Sequence, residues 1–241
     1  MQQARRQHQS SGRLSGSRAS HCLRRLTYYL LGYPAREPTG QQRWMMQVGQ
    51  LIHNYIQACL VQAGLVRTDD GTGQPWIEYH VEDPSHKFHG FIDAVLVTGE
   101  VLEIKTCATE RLVQLTGPQD WHLGQANLYA HWLGTDRIRF CYVGVDARTG
   151  YGPALSVEEL PIREFELAAD PWVAQQVLQR FWWAVRLADR KQLAKREFSP
   201  AGLVSQCHLC EYRAHCYPEP QGADPGPGQR VGCPAEPVLA G

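Results

Sequence analysis

The chain has 241 residues, 43% of them hydrophobic, with 24 basic and 24 acidic side chains and no formal net charge. That length supports one globular core, or one core with an appended module, and the overall charge does not mark a polyanion binder. No stretch approaches the ~20 apolar residues needed to span a bilayer, and "LTYYLLGY" is too short and too far from the start for a secretory segment.

Charge is unevenly placed. Residues 1–36 contain seven arginines and no acid, which leaves 17 basic against 24 acidic residues in the remainder, a formal −7. Residues 1–16 lack apolar periodicity and are expected to form a disordered basic arm, suited to phosphates or simply solvated. Their composition also resembles a mitochondrial transit peptide, but from Cys22 onward the sequence reads as structural. From Gln41 to Gly64, Trp44, Val48, Leu51, Ile52, Tyr55 and Cys59 recur at helical spacing and predict an amphipathic helix. "WIEYHV" (76–81) reads as a strand, "DPSHK" as a turn, and "FHGFIDAVLV" (88–97) as a second strand. A tight turn at Thr98–Gly99 leads into a third, "EVLEIKTC" (100–107), giving an antiparallel meander. A helix at Gln119–Leu133 follows, then strands at 137–145 and 159–167. A helix from Pro171 to Leu187 is expected to pack "WVAQQVLQRFWWAV" on the sheet. The order predicts an α/β fold, a mixed sheet flanked by helices. Pro- and Gly-rich residues 218–241 are expected to be a disordered tail.

Chemistry concentrates around "EIKT" (103–106). Residues two apart on a strand share a face, so Glu103 and Lys105 point together while Leu102 and Ile104 point to the opposite, buried side. A two-residue hairpin brings Asp93 across from Glu103. Converging carboxylates repel unless a cation intervenes, and a hard divalent ion with oxygen ligands is one solution. An ordinary cross-strand salt bridge, worth about 0–1 kcal/mol if exposed, is the other. His53 lies one helical turn after Gly49, where the missing side chain leaves room beside the imidazole, and it can supply a nitrogen ligand. Gln125 and Tyr129 share a face of the later helix and can offer an amide and a hydroxyl to a phosphate or a base. Glu78, and His89 on the Asp93 face, are weaker ligand candidates.

Asp93, Glu103-x-Lys105, Gly49-x-x-x-His53 and Gln125-x-x-x-Tyr129, in that setting, resemble the PD-(D/E)xK nuclease superfamily and its RecB-like branch. "GFID" at 90–93 matches the Gly-x-x-Asp form common in that branch. The resemblance covers roughly residues 17–217 and implies a restriction-endonuclease-like core. It implies Mg²⁺ or Mn²⁺ held by His53, Asp93, Glu103 and the Ile104 carbonyl, with Lys105, Gln125 and Tyr129 completing the catalytic set. The implied activity is hydrolysis of DNA, by exonuclease action on single strands or frayed ends. A non-catalytic DNA-binding adaptor and an endonuclease of the same superfamily are the alternatives.

Cys207-x-x-Cys210-x5-Cys216 is a compact triplet, one ligand short of a tetrahedral site. His208, His215 or a distant residue can complete it. Resemblance to AddB-type and CRISPR-adaptation nucleases implies the distant choice, Cys22, and a [4Fe–4S] cluster on all four thiolates. Such a cluster makes a module joining the N- and C-terminal segments, while a zinc site of the same cysteines remains the alternative. Cys59, Cys107 and Cys141 are expected to be buried hydrophobes, and Cys233 to lie idle in the tail. Arg18, Arg24 and Arg25 are expected to contact the DNA backbone, and Tyr28 or Tyr29 to stack on a strand. The resemblance allows protein partners in a recombination or CRISPR-adaptation complex. Twenty arginines against four lysines fit a GC-rich genome, hence a bacterial or phage source and a cytoplasmic setting.

Overall fold

The computed structural model describes residues 12–145, 161–197 and 205–218. The chain divides into two compact units. The larger holds Ser15–Ser20 and Thr39–Gln179, and the described residues of the smaller are 12–14, His21–Pro38, 180–197 and 205–218. Most of the basic arm, the start of the strand expected at 159–167, Cys233 and the tail lie outside the described residues.

The larger unit is the expected mixed α/β structure. The strands are β1 (Leu14–Ser15), β2 (Ile77–Asp83), β3 (Phe88–Val95), β4 (Val101–Ala108), β5 (Arg137–Val145) and β6 (Ile162–Ala168). They run in the order β1-β3-β4-β5-β6, with β2 also on β3. β4 and β5 are parallel and the pairs β2–β3, β3–β4 and β5–β6 antiparallel, so the meander holds for β2–β4. A parallel pair needs a crossover connection; here it contains α3 (Thr109–Leu112) and α4 (Asp120–Leu133). Leu14 is fully buried and Ser15 is in β1, although both lie within the stretch assigned to the arm.

Helix α2 (Gly40–Gln62) begins with a capping box. Thr39 Oγ1 accepts from Gln42 N and Gln42 Oε1 accepts from Thr39 N, at 3.2 and 2.8 Å, satisfying two backbone donors reciprocally. The helix is amphipathic, but its core face shares only part of the expected stripe, Ile52. Trp44, Leu51 and Tyr55 are 50%, 67% and 47% exposed. Its core face is Ile52, Ile56 and Leu60, packed with Ala94, Leu102, Ile104, Cys141 and Val143. A Cβ at Gly49 would face Thr106 Oγ1 on β4 at 3.4 Å, an ordinary contact.

α2 packs on β3 and β4, and α4 on β4 and β5. β4 is therefore covered from two sides. Leu102 and Ile104 meet α2, while Glu103 is fully buried on the side of α4. From Val101 to Ile104 both faces of this central strand are buried, where alternation suggests only one. Gly134, at φ +71°, ends α4 in the left-handed cap that glycine adopts without strain.

α5 (Pro171–Asp189) runs from the larger unit into the smaller at Gln179–Arg180. Its buried positions include Ala174, Val177, Phe181 and Ala184, whereas Trp172, Trp182 and Trp183 are exposed rather than packed. The smaller unit also contains α1 (Leu23–Leu30), α6 (Ser205–His208) and α7 (Arg213–Cys216). Tyr28 stacks on Tyr212 at 5.5 Å and donates to the His215 carbonyl at 3.0 Å. Arg36 N donates to the Glu211 carbonyl at 2.9 Å, and the Thr27 hydroxyl accepts from Ala194 N at 3.3 Å. These bonds tie N-terminal to C-terminal sequence. No helix among the described residues is long and apolar enough to cross a membrane.

Tyr129 on α4 leans against two glycines. A Cβ on Gly90 would meet its Cε1 at 2.7 Å and Phe88 Cζ at 2.9 Å, and one on Gly16 would overlap its hydroxyl. Gly90→Ala is therefore expected to destabilise the protein by about 1–3 kcal/mol through overpacking, seen as a lower melting temperature. An unchanged melt would show that Tyr129 swings away freely.

Candidate active site

β3 and β4 pair only at Ala94↔Leu102 and Val95↔Val101. Beyond these pairs, Asp93 and Glu103 sit at the mouth of the gap. Asp93 Oδ2 accepts the Ile104 N–H at 2.6 Å, so a side chain takes the place of a ladder partner. This bond fixes the carboxylate against the backbone of the Glu-x-Lys strand. Asp93 Oδ1 lies 3.5 Å from His53 Nδ1 on α2. Burial pulls the His53 pKa down, but the hydrogen bond and charge of Asp93 outweigh it, and the net shift is upward.

Lys105 Nζ donates to Glu103 Oε1 and, at 3.3 Å, to Gln125 Oε1 on α4. Burial disfavours the ammonium, yet Glu103 and Asp93 hold its pKa above the ordinary lysine value. Glu103 is pushed up from the usual carboxylate range by burial; Asp93 adds to this and Lys105 opposes it. The second oxygen of Glu103, Oε2, is buried and has no hydrogen-bond partner among the described residues. Tyr129 is in hydrogen-bond contact with Gln125 and the Phe91 backbone, and burial with the charges of Glu103 and Asp93 keeps it a neutral phenol. Asp93, Glu103, Lys105, Gln125, Tyr129 and His53, from four elements, thus surround one place.

Two carboxylates and an imidazole meet there, donors that suit a hard divalent ion. Glu103 Oε2 is the buried oxygen that lacks a partner. The side chains are nevertheless satisfied chiefly by one another, and among the described residues no group of three or more His, Cys, Asp or Glu is gathered to hold a metal.

Two polar residues near this place escaped the sequence reading. Gln57, one turn after His53, is 3% exposed and donates from Nε2 to the Asp93 carbonyl at 2.8 Å and to Glu78 Oε1 at 2.9 Å. It buttresses the Asp93 backbone and accounts for Glu78, whose backbone is left-handed at φ +46°. A glutamine continuing the Gly49–His53 spacing was the available signal. His122, one turn before Gln125, bonds Tyr142 Oη at 2.7 Å. Burial and the charges of Lys105 and Arg111 press its pKa down to about 3, so it is a neutral ring. The other weak candidate, His89, lies edge-on to Phe91.

In the smaller unit, Cys22, Cys207, Cys210 and Cys216 line one pocket with Arg24, Arg25, Arg196 and Arg213. Cys22 caps α1, its sulfur accepting from Arg25 N at 3.4 Å. Burial pushes its thiol up to about 12 and raises Cys207 and Cys210 as well. The described cysteines are all free thiols; of the three expected to be buried hydrophobes, Cys141 is buried and Cys59 and Cys107 only partly so.

Three of the residues expected to contact DNA need correction. Tyr28 is 2% exposed and enclosed by Tyr33, Tyr212 and His215, so it has no face to offer a base. Arg24 donates to the Ala194 carbonyl at 2.6 Å, and Arg25 pairs with Glu211 at 2.6 Å. Both are committed inside the smaller unit. Arg18 and Tyr29 are half-buried.

The chain matches no protein-family model and no curated protein sequence. Solved structures do resemble it. The crystal structure of SSO0001 aligns with a TM-score of 0.50 at 15% identity, covering 86% of each chain. LHK-Exo in complex with dAMP aligns with a TM-score of 0.50 at 12% identity, over 75% of this chain and 89% of that one. A second structure of LHK-Exo, an alkaline exonuclease from Laribacter hongkongensis, gives 0.48 at 14% identity, over 76% and 90%. At such identities the likeness is one of fold: the mixed sheet between helices described above is shared with SSO0001 and LHK-Exo.

Proposed function

We propose that this protein is a metal-dependent deoxyribonuclease of the PD-(D/E)xK type that hydrolyses phosphodiester bonds, acting as an exonuclease on single-stranded or frayed DNA ends. The observation that carries this reading is the hydrogen-bonded set Asp93–Ile104 N and Glu103–Lys105–Gln125 where β3 and β4 part. The fold shared with LHK-Exo, solved with dAMP bound, supports a nucleotide substrate.

His53, Asp93, Glu103 and the Ile104 carbonyl are the residues that would hold Mg²⁺ or Mn²⁺. When bound, the ion supplies Lewis-acid polarisation of the phosphate and a lower pKa for water. Lys105 places its ammonium beside the carboxylates, where it orients a water and offsets charge growing on the phosphate oxygens. Gln125 accepts from Lys105 and so restricts where the ammonium points. Gln57 and the Ile104 N–H fix Asp93 at its carbonyl and its carboxylate.

In the smaller unit the four cysteines are assigned to a [4Fe–4S] cluster. Their shared pocket and four arginines support this, because a thiolate-ligated cluster is anionic and needs compensating charge.

End-labelled linear strands and a closed circle, each incubated with Mg²⁺ or Mn²⁺ and with a chelator, test the reading. Linear strands are expected to be digested from an end only when metal is present, and the circle to survive. Digestion of the circle would make the enzyme an endonuclease. An intact linear strand with both metals would overturn the nuclease reading.

A further inference from the structure

Between α3 and α4 lies a hollow of about 320 Å³, walled among others by Arg111, Gln114, Gln119, Asp120 and Trp121. The hydrolytic set does not use it. The Arg111 guanidinium lies over the Trp121 ring, 5.1 Å from its centroid, and has no hydrogen bond or ion pair among the described residues. Asp120, the one acid on the wall, does not pair with it. Gln119 Nε2 is a buried donor that also lacks a partner among the described residues.

Tyr142 ties this hollow to the site. It is the β5 partner of Lys105 on β4. Its hydroxyl accepts from Gln119 N at 3.0 Å and lies 2.7 Å from His122 Nδ1. Tyr142 is fully buried, and His122 is the only acceptor for its proton among the described residues, so that proton goes to Nδ1. The imidazole is thereby fixed with its own proton on Nε2. That nitrogen has no partner among the described residues, and the ring is only half-buried. The charges of Lys105 and Arg111 both act on His122, which places it near the two cations.

Resting on the nuclease reading above, we propose that the hollow is the subsite for the phosphate next to the scissile one, bound by Arg111, with His122 as a neutral donor between it and Lys105. His122 and Gln125, the partner of Lys105, are three residues apart, ~4.5 Å along α4. The rise of one nucleotide in a strand is ~3.4 Å, so the step from Lys105 to His122 is of nucleotide size. An anion suits this wall because Arg111 brings five N–H donors and no carboxylate satisfies them. Lying flat on Trp121 fixes the guanidinium and leaves those donors, which point outward in its plane, to the ligand. The grip is on the backbone, so it does not read sequence.

The test measures binding of a labelled single strand by fluorescence anisotropy, in chelator and over a range of salt, and then kcat and KM with Mg²⁺. Arg111→Gln is expected to weaken binding about tenfold. It should also flatten the plot of log affinity against log salt by about 0.7, the share of one phosphate contact. The loss in kcat/KM should fall on KM, because this phosphate is held alike before and during cleavage. The double variant His122→Phe/Tyr142→Phe removes both ends of their hydrogen bond. It should weaken binding by a smaller factor with the salt slope unchanged; a slope that falls would make His122 a cation and overturn its part. Arg67→Gln is the control, an arginine 4.3 Å over Trp76 and outside the hollow, and should keep the wild-type slope. Thermal melts check that the variants fold. If wild type digests DNA and Arg111→Gln matches it in slope and KM, the subsite is wrong and the nuclease reading stands. If wild type digests no DNA with either metal, both fall.

Discussion

Replacing Lys105 by methionine is expected to slow DNA hydrolysis by about 10²- to 10³-fold, the cost of removing one preorganised donor from developing charge. Glu103 and Gln125, from two different elements, set the position of the ammonium. The raised pKa of Lys105 means that it is an ammonium at neutral pH, so in the proposed nuclease it would donate and compensate charge rather than accept a proton. The substitution has a second consequence. Glu103 is fully buried, and removing its counter-ion leaves a carboxylate without compensation. Breaking one side of such a pair costs up to about 3–5 kcal/mol, whereas replacing both sides by apolar groups is often neutral. The variant Glu103→Leu/Lys105→Met is therefore expected to melt closer to wild type than Lys105→Met does, and to remain inactive. Single-turnover cleavage and thermal melts of both variants separate chemistry from stability. A folded Lys105→Met protein that cleaves at the wild-type rate would remove Lys105 from the mechanism.

The parts of the fold carried by short-range pattern were legible in the sequence. "RIRFCYVGV" is bounded by Gly134 and Asp136 before it and is rich in β-branched and aromatic residues, and it forms β5 over the residues expected. The meander followed from "DPSHK" and Thr98–Gly99, whose turn chemistry leaves few other conformations. What failed were questions of which face is covered. α2 carries two apolar stripes, and the one with the larger side chains, Trp44, Leu51 and Tyr55, is in solvent. Periodicity alone cannot choose between stripes when both are apolar. The same limit applied to β4. Alternation correctly put Glu103 and Lys105 together, but burial of that face depends on α4, which the crossover to β5 lays back over the sheet. Asp93 and Glu103 were legible as a pair because a hairpin fixes the register. Gln57 was not, because its value lies in reaching the Asp93 carbonyl, a contact 36 residues away. Tyr28 was misassigned because an aromatic next to arginines reads alike in a DNA groove and in a small core. Its enclosure by Tyr212 and His215 depends on residues near the other end of the chain.

Protein purified without oxygen is expected to be brown and to carry about four irons per chain, and Cys22→Ser is expected to abolish both properties. Cys22 is the informative position to change because it is far in sequence from the other three. It caps α1 near the start of the chain, whereas Cys207, Cys210 and Cys216 lie around α6 and α7. Burial holds three of the four thiols in the protonated form, with Cys22 at about 12, so each must lose a proton on ligation and an acidic medium should hinder assembly. Joining residue 22 to residue 207 closes a loop that spans the larger unit. In the chain-entropy picture a cross-link over more than 100 residues stabilises by roughly 5 kcal/mol. The bonds that already unite the smaller unit, such as Arg36 N to the Glu211 carbonyl, share that task, so the loss is expected to be smaller, a few kcal/mol. At about 2–4 °C per kcal/mol for a protein of this size, Cys22→Ser should melt some 5–10 °C lower. Cys107→Ser, at a thiol on β4 that does not line the pocket, is the control and should keep its iron. Iron and zinc analysis with visible absorption decides the question. A colourless protein holding one zinc would replace the cluster with a zinc site on the same cysteines. Iron retained in full by Cys22→Ser would take Cys22 out of the ligand set and leave the triplet to find its fourth partner locally, at His208 or His215.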